Sequence, residues 1–505
     1  MITFSNKSFR IMHMKNNLAF NNEKYLSIQK ENILKRINSF GGRLYLEFGG
    51  KLFDDYHASR VLPGFHPDSK LQLLLSLKDQ AEIVIVISAN DIKARKVRAD
   101  LAITYDVEVE RLILAYRQAG LFIQSVVLSF YEPDAEVDKF IRRIKHHKIN
   151  VYKHYKIAGY PQNIPLIVSD QGLGKNEYIK TTRPLVVVTA PGPGSGKMAT
   201  CLSQLYHDKK NGIKSGYAKY ETFPVWNLPL SHPVNMAYEA ATIDLNDVNM
   251  IDPFHLEHYG ITAVNYNRDV ETFPLLKDIL ESISGSCPYY SPTDMGVNMV
   301  GFAIEDDEGV KKAAKDEIIR RYYVAKKDRL LEEIDDDTLL KAELLMKRMN
   351  LSSDDRPCVK VAVEKAAKKG TPVIAIELSD GRIVTGKRSD LLTASAAVLL
   401  NALKVLAGID ENLPLLSRSV IEPITDLKIG PLHNPSAKIH AEEILIALAI
   451  QANTNPLADL CMSKINELAG CEAHSSCLLA PIDLKTLSKL GIRVTEEAQS
   501  YIYKN

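Results

Sequence analysis

The chain has 505 residues, which at roughly 150 residues per domain predicts about three domains and cores that stand without disulfide or metal staples. Lys and Arg number 63 against 62 Asp and Glu, a net charge of +1, with 25% charged and 46% hydrophobic residues. This balance argues against a nucleic-acid-binding surface set by bulk charge. Six cysteines are too sparse for a disulfide framework and suit a reducing cytoplasm. The most apolar stretch, LTASAAVLLNALKVLAGI, is broken by Asn401 and Lys404, so no membrane helix is expected.

Residues 1–14 read as a disordered leader, lacking the apolar segment of a signal peptide. Residues 15–305 read as an α/β nucleotide- or phosphate-binding region with a division near 170, residues 306–355 as a charged helical connector, and residues 356–505 as a smaller α/β domain. A polar helix is predicted from Glu23 to Asn38. A strand bracketed by glycines follows in GGRLYLEFGG, with further apolar runs at 81–88, 121–131 and 184–190. Helical periodicity near 70–80, 101–119 and 134–147 separates them. Runs such as IVIVI are apolar at every position, which suits strands covered on both faces in a mostly parallel, Rossmann-like or P-loop-like sheet. Ligands collect beyond the carboxyl ends of such strands, so the loops of interest are FGGKLFDDYHASR, SANDIKARKVR and APGPGSGK.

The last of these carries the clearest chemistry. PLVVVTA runs into Pro191, Gly192, Pro193, Gly194, Ser195, Gly196 and Lys197, after which Met198, Cys201, Leu202 and Leu205 recur at helical spacing. Glycines let main-chain amides surround an anion, a helix start directs its free amides to the same point, and a lysine adds full charge. Compared with a nucleotide-binding P-loop, the leading glycine is Pro191 and the magnesium-binding hydroxyl is Met198. Thr200 or Ser195 could replace that hydroxyl. Otherwise the loop takes a phosphate without magnesium, or serves only as a tight turn. A second GxGK, Gly172 to Lys175, precedes a predicted strand and reads as a plain loop.

From Gly216 to Asp269 the chain is dense in aromatic, amide and acidic residues. Prolines at 224, 229, 233 and 253 exclude one long helix and predict ordered loops and short helices. Lys219, Tyr220 and Glu221 could face a substrate. Asp244, Asp247 and Asp269 are candidates to hold magnesium or to act as general base, or else serve as helix caps and turns. Asn265, Asn267 and Arg268 are expected at the carboxyl end of a strand in ITAVNY. His255, Glu257 and His258 lack the HExxH spacing, which disfavours zinc. SCPYYSPTDMGVNMVG could form another binding loop, with Tyr289, Tyr290, Thr293, Asp294 and Asn298.

Residues 308–350 read as two charged helices broken at EEIDDD, bridging the halves or packing in a homo-oligomer interface. GTPVIAIELSDGRIVTGK reads as a hairpin turning at Asp380 and Gly381. Helices follow at about 392–407, from His440, and at 456–468, and SSCLLAPID with LSKLGIRVT closes the chain as strand, short helix and strand. His440 and Glu442 form an H-x-E as in zinc deaminases, but Cys471 and Cys477 are spaced too widely for that metal site. His433, Asn434, His440, Glu442 and His474 remain a polar set that could converge.

The strings APGPGSGKMATCLSQLYHD, ETFPVWNLPLSHPVNMAYEAATIDLNDVNMIDPFHLEHYG, AVNYNRDVE and GCEAHSS resemble an uncharacterised bacterial family, a domain of unknown function, from about Lys15 to the C-terminus. Some members carry the label of ATP-dependent peptidase or zinc protease. The resemblance implies a cytoplasmic protein with a nucleotide-binding-like N-terminal half and no established reaction. No protease motif accompanies it here: HExxH is absent, and no serine or cysteine stands in a nucleophile motif.

The expected protein therefore binds ATP or another phosphorylated small molecule through Gly192, Gly194, Ser195, Gly196, Lys197 and Thr200. As a phosphotransferase or ligase it would use Lys197, Arg268 and one of the three aspartates, with or without magnesium. The alternatives are a non-catalytic ligand-binding regulator, and a metal-dependent hydrolase or deaminase built on the C-terminal His, Glu and Cys residues. Neither nucleic acid nor membrane is an expected partner.

Overall fold

A computed structural model describes residues 18–50, 55–98, 103–245 and 247–499. The leader and part of the FGGKLFDDYHASR loop lie outside them. Two compact units emerge: residues 1–239 with 246–314, and residues 240–245 with 315–505.

The first unit is built on seven parallel strands. In chain order its strands are β1 (Leu44–Phe48), β2 (Ala81–Ser88), a small antiparallel pair β3 (Val97–Arg98) and β4 (Ile103–Thr104), β5 (Phe122–Ser129), β6 (Asn150–Lys153), β7 (Leu185–Thr189) and β8 (Gly216–Tyr220). A second antiparallel pair, β9 (Asn249–Ile251) and β10 (Val264–Tyr266), precedes β11 (Gly296–Val297). The central sheet runs β11-β8-β1-β7-β2-β5-β6. Chain order and spatial order part company at β7, which returns from the β6 edge to insert between β1 and β2. Such reversals leave a crevice at the carboxyl ends of the strands.

The apolar runs are unbroken because both faces are covered. Leu44, Leu46, Ile83, Ile85, Ile87 and Leu185 pack on one side with Ile33, Leu73, Val109, Ile113 and Phe140 from helices. Tyr45, Val84, Val86, Val186, Val188 and Tyr217 pack on the other with Cys201, Leu205, Phe273, Leu276 and Leu280. Fully burying a Val, Leu or Ile side chain stabilises by about 1.5–3 kcal/mol, so this two-sided core fixes the sheet and the loops at its edge.

The second unit carries a mixed four-stranded sheet in the order β13-β12-β14-β15, from β12 (Val373–Glu377), β13 (Ile383–Lys387), β14 (Glu472–Ser475) and β15 (Arg493–Glu496). The hairpin turns at Asp380 and Gly381 as expected, with Gly381 at φ +83°. The penultimate strand lies earlier than predicted, in CEAHSS rather than SSCLLAPID, because Cys477 and the residues after it leave the ladder for the turn before helix Pro481–Lys489. Helix Arg418–Ile429, which contains Pro423, was not anticipated. The two charged helices are Asp307–Leu330 and Asp336–Arg348, and the boundary between the units falls within the first.

Candidate functional site at the carboxyl edge of the parallel sheet

The glycine loop leaves β7 in the middle of the sheet and opens helix Lys197–Lys210. Its shape is held from within and from β5. Ser195, fully buried, donates from Oγ to the Gly192 carbonyl at 2.8 Å, and Ser129 Oγ donates to the Ser195 carbonyl at 2.7 Å. Gly194 and Gly196 take φ values of +73° and +90°, a region costly for residues with a Cβ. A Cβ on Gly192 would stand 2.3 Å from the Tyr105 hydroxyl.

The first hydrogen bond of the helix is from the Thr200 amide to the Gly196 carbonyl, 3.0 Å. No described residue accepts from the main-chain amides of Gly194 to Ala199, as at any helix start that lacks a side-chain cap. Both hydroxyls that could have replaced the P-loop hydroxyl are committed: Ser195 to Gly192, and Thr200 Oγ1 to the Gly196 carbonyl at 3.0 Å. Each residue is fully buried.

Beside the loop lies an ionic cluster set by strand register. Alternation places Tyr217, Lys219 and Glu221 on one face of β8 and its continuation, while Tyr220 points to the other. Tyr220 is therefore a core residue, hydrogen-bonded to the Tyr25 hydroxyl at 2.5 Å and stacked on Phe48; it does not share the face of its two neighbours. Lys219 stands between Glu47 of β1 and Gly296 of β11 in register. Glu47 accepts from the Tyr217 hydroxyl at 2.8 Å and approaches Lys197 Nζ at 3.9 Å. Lys219 pairs with Asp269 in the first turn of helix Asn267–Ser284, and the Asp269 charge also acts on the Glu221 carboxyl. A Cβ on Gly296 would sit 3.0 Å from Glu221 Oε2.

Three carboxyl groups and two lysines thus stand together in a partly buried place. Burial, then the nearby Asp269 charge, pushes the Glu221 carboxyl up to about 8. Lys219 moves upward despite its burial, because Asp269, Glu47 and Glu221 hold its charge. It stays an ammonium and cannot serve as an amine nucleophile near neutral pH. Tyr238 and Tyr266 are also held above their ordinary value, by burial first and then by neighbouring carboxylates, Asp247 first for Tyr238 and Asp269 first for Tyr266.

Of the residues singled out from sequence, Gly192, Gly194, Ser195, Gly196, Lys197 and Thr200 form the loop and the start of its helix, and Asp269 joins Lys197 through Lys219 and Glu47. Arg268, half-exposed, donates to the buried Asp247 at 2.7 Å, and both act on Tyr238 at the edge of the same cluster. Asp244 does not join them. It is exposed in the turn Ile243–Leu245, belongs to the second unit and lies near Arg321. Asn265 falls within β10, and Asn267 begins the following helix. Glu47, Tyr217, Tyr238 and Tyr266 were not anticipated; the one sequence signal for Glu47 is a lone charge at the end of the apolar run LYLEF.

Three of the histidines singled out from sequence have local partners. His255 Nδ1 lies 3.0 Å from Ser291 Oγ. His440 caps helix Ala441–Gln451 with Glu443 and lies 3.2 Å from Asp483. His474, fully buried in β14, lies 2.8 Å from Thr495 Oγ1 and 3.4 Å from Glu497. Among the described residues no group of three His, Cys, Asp or Glu side chains is placed to hold a metal ion, and no helix is long and apolar enough to cross a membrane. Gly172 to Lys175 form a loop and the short 3-10 turn Leu173–Lys175.

These features define an α/β protein with an open parallel sheet, covered on both faces, whose central glycine loop meets a partly buried ionic cluster. The chain belongs to the DUF1846 family: the model "Domain of unknown function DUF1846, N-terminal" matches residues 18–350 and its C-terminal counterpart matches residues 354–504. It is 55% identical over 477 residues to a UPF0371 protein of Streptococcus thermophilus LMG 18311, covering 94% of this chain and 97% of the relative. A UPF0371 protein of Streptococcus pneumoniae JJA is 54% identical with the same coverage. Neither family description assigns a reaction.

Proposed function

We propose that the protein binds a phosphorylated small molecule at Gly192 to Lys197 and that it does so without the magnesium geometry of a P-loop. The observation that carries the reading is the unpaired row of amides from Gly194 to Ala199, in a loop locked by Ser129 and Ser195, with Lys197 at its end. Such a row stabilises an anion by direct donation and by the helix dipole.

Met198 stands at the usual magnesium position, and Ser195 and Thr200 are fully buried, which counts against a magnesium-nucleotide. Glu47 beside Lys197 also repels a highly charged triphosphate more than a monoester. A sugar phosphate or comparable monoester is therefore favoured over ATP. Phosphotransfer or ligation draws its support from the neighbouring Glu221, which can exchange a proton near neutral pH; simple ligand sensing draws its support from the missing magnesium hydroxyl.

Calorimetry with inorganic phosphate, a hexose 6-phosphate and ATP tests the binding. Lys197→Ala should weaken the phosphate monoester by about 10- to 100-fold, the worth of one charge-assisted contact. Equal affinity in variant and wild type, or no binding of any of the three, removes this reading. Turnover of the bound monoester with and without a nucleotide then separates enzyme from sensor.

A further inference from the structure

The parallel sheet ends at β6, and the outer edge of that strand is only half covered. His154, just past the strand, donates from its amide to the Leu128 carbonyl of β5 at 2.8 Å and accepts from the Tyr131 amide at 2.9 Å. Alternation along a parallel ladder therefore turns the main-chain groups of Tyr152 toward β5 and those of Val151 and Lys153 outward. At Lys153 one residue takes both: the amide donates to Glu177 Oε2 at 2.7 Å, and the carbonyl accepts from the Glu177 amide at 3.2 Å. At Val151 no described residue bonds the outward amide or carbonyl. A cavity of about 780 Å³ lies at this bare end, with Asn150, Val151 and Tyr152 on one wall. Lys145 and Lys148, from the end of helix Ala135–His146 and the turn after it, and Lys180 complete the lining around them. All three lysines are exposed, and none pairs with a carboxylate among the described residues. The one acid of the lining, Glu177, already serves the Lys153 amide. A chain of net charge +1 thus gathers three uncompensated cations around an unpaired stretch of strand.

We infer that this edge takes a short acidic segment of a partner protein as an added strand, continuing the pairing that Glu177 begins and setting acidic side chains against Lys145, Lys148 and Lys180. The lysines alone would admit any polyanion, and the main chain decides between them. Val151 presents one donor and one acceptor along the edge, which a peptide answers with its own acceptor and donor, whereas a phosphodiester backbone answers with acceptors only. Lysines on a sheet edge also turn away strands that bring positive charge, so they select for acidic ones. The inference stands apart from the phosphate-binding reading, since it uses no residue of the glycine loop.

The test uses the full chain and a fluorescein-labelled, end-capped heptapeptide of alternating glutamate and valine. Fluorescence anisotropy at low salt should show saturable binding that weakens as salt is added. Lys148→Glu combined with Lys180→Glu should weaken it at least about tenfold, and Lys145→Gln about two- to fivefold; these side chains are exposed, and an unchanged denaturant midpoint confirms that the variants fold. Hydrogen exchange at the Val151 amide should slow at least about tenfold when the peptide is bound. No peptide binding overturns the inference and leaves the lysines as guards of the edge. Binding that ignores the double variant, or that leaves Val151 exchange unchanged, overturns the added strand. Tighter binding of an oligouridylate of equal charge overturns the choice of partner.

Discussion

Each unit buries an ionic network, and the two are built to different ends. In the second unit Arg356, the N-cap of helix Pro357–Lys369, is fully buried and donates from Nη2 to Glu472 Oε2 at 2.7 Å, to the Ala473 carbonyl at 3.0 Å and to the Arg493 carbonyl at 2.6 Å. Glu472 takes the charge of Arg356, and the other two bonds go to the main chain of β14 and β15. Arg493 adds a second, half-exposed cation to Glu472 at 3.2 Å. The network ties strands together and ends there. In the first unit the partners are side chains at strand ends, the acids outnumber the lysines, and the cluster adjoins unpaired amides. The second unit's network is bonded to the backbone of two strands, although Nε and Nη1 of Arg356 are buried without a hydrogen-bond partner; the one at the carboxyl edge links side chains and adjoins the unpaired amides of the glycine loop.

The sharpest way to break this contrast is to remove the cation from each network. Arg356→Leu should destabilise the second unit by about 4–5 kcal/mol, since it leaves Glu472 and two carbonyls without their main donor, read as a lower denaturant midpoint of the full chain. Lys219→Met should cost less, about 3 kcal/mol, because Glu221 keeps its proton up to about pH 8 and so adds little repulsion. A larger loss for Lys219 than for Arg356 would show that the carboxyl-edge cluster is the more structural of the two.

Glu221→Gln tests the same contrast through pH. Folding raises this carboxyl to about 8 from its ordinary value of 4.5, so the folded state holds a proton that the unfolded chain gives up. Its stability contribution is intact below the ordinary carboxyl range and is lost as pH climbs toward and through 8. The variant lacks that penalty. It should match the wild type near pH 4 and exceed it at pH 9 by about 4 kcal/mol, measured by denaturant midpoints at each pH. A constant offset between the two proteins would instead mean that Glu221 ionises normally.

Much of the frame was legible in the chain because the parallel strands are apolar at every position. AEIVIVIS became β2 residue for residue, and the glycine loop fell between strand and helix as its spacing required. β8 was illegible for the opposite reason: GYAKY mixes aromatic and charged groups, since its odd positions line the ionic cluster and its even positions the core. The partnership of Glu47 with Lys219 is a matter of register between strands about 170 residues apart in sequence, which no local pattern encodes. Asp244 and Asp247 looked equivalent in sequence, but the chain passes from one unit to the other between them. Asp247 is drawn in by Arg268 and Asp244 is not.

Lys197 should give the smallest change in stability and thereby locate the spare charge. Its nearest carboxylate oxygen is 3.9 Å away, beyond a good hydrogen bond, and the amides preceding it have no protein acceptor among the described residues. Lys197→Ala should therefore shift the unfolding free energy by less than about 1 kcal/mol, while Lys219→Met, a strand away, shifts it several times as far. Its loss would even relieve Glu47 of little, because Tyr217 continues to donate to that carboxylate. Under the proposed phosphate-binding reading, a lysine that the fold does not need, placed where unpaired amides and a helix start meet, serves the guest. If Lys197→Ala destabilised the protein as much as Lys219→Met, the loop lysine would belong to the structural network, and the functional contrast between the two units would disappear.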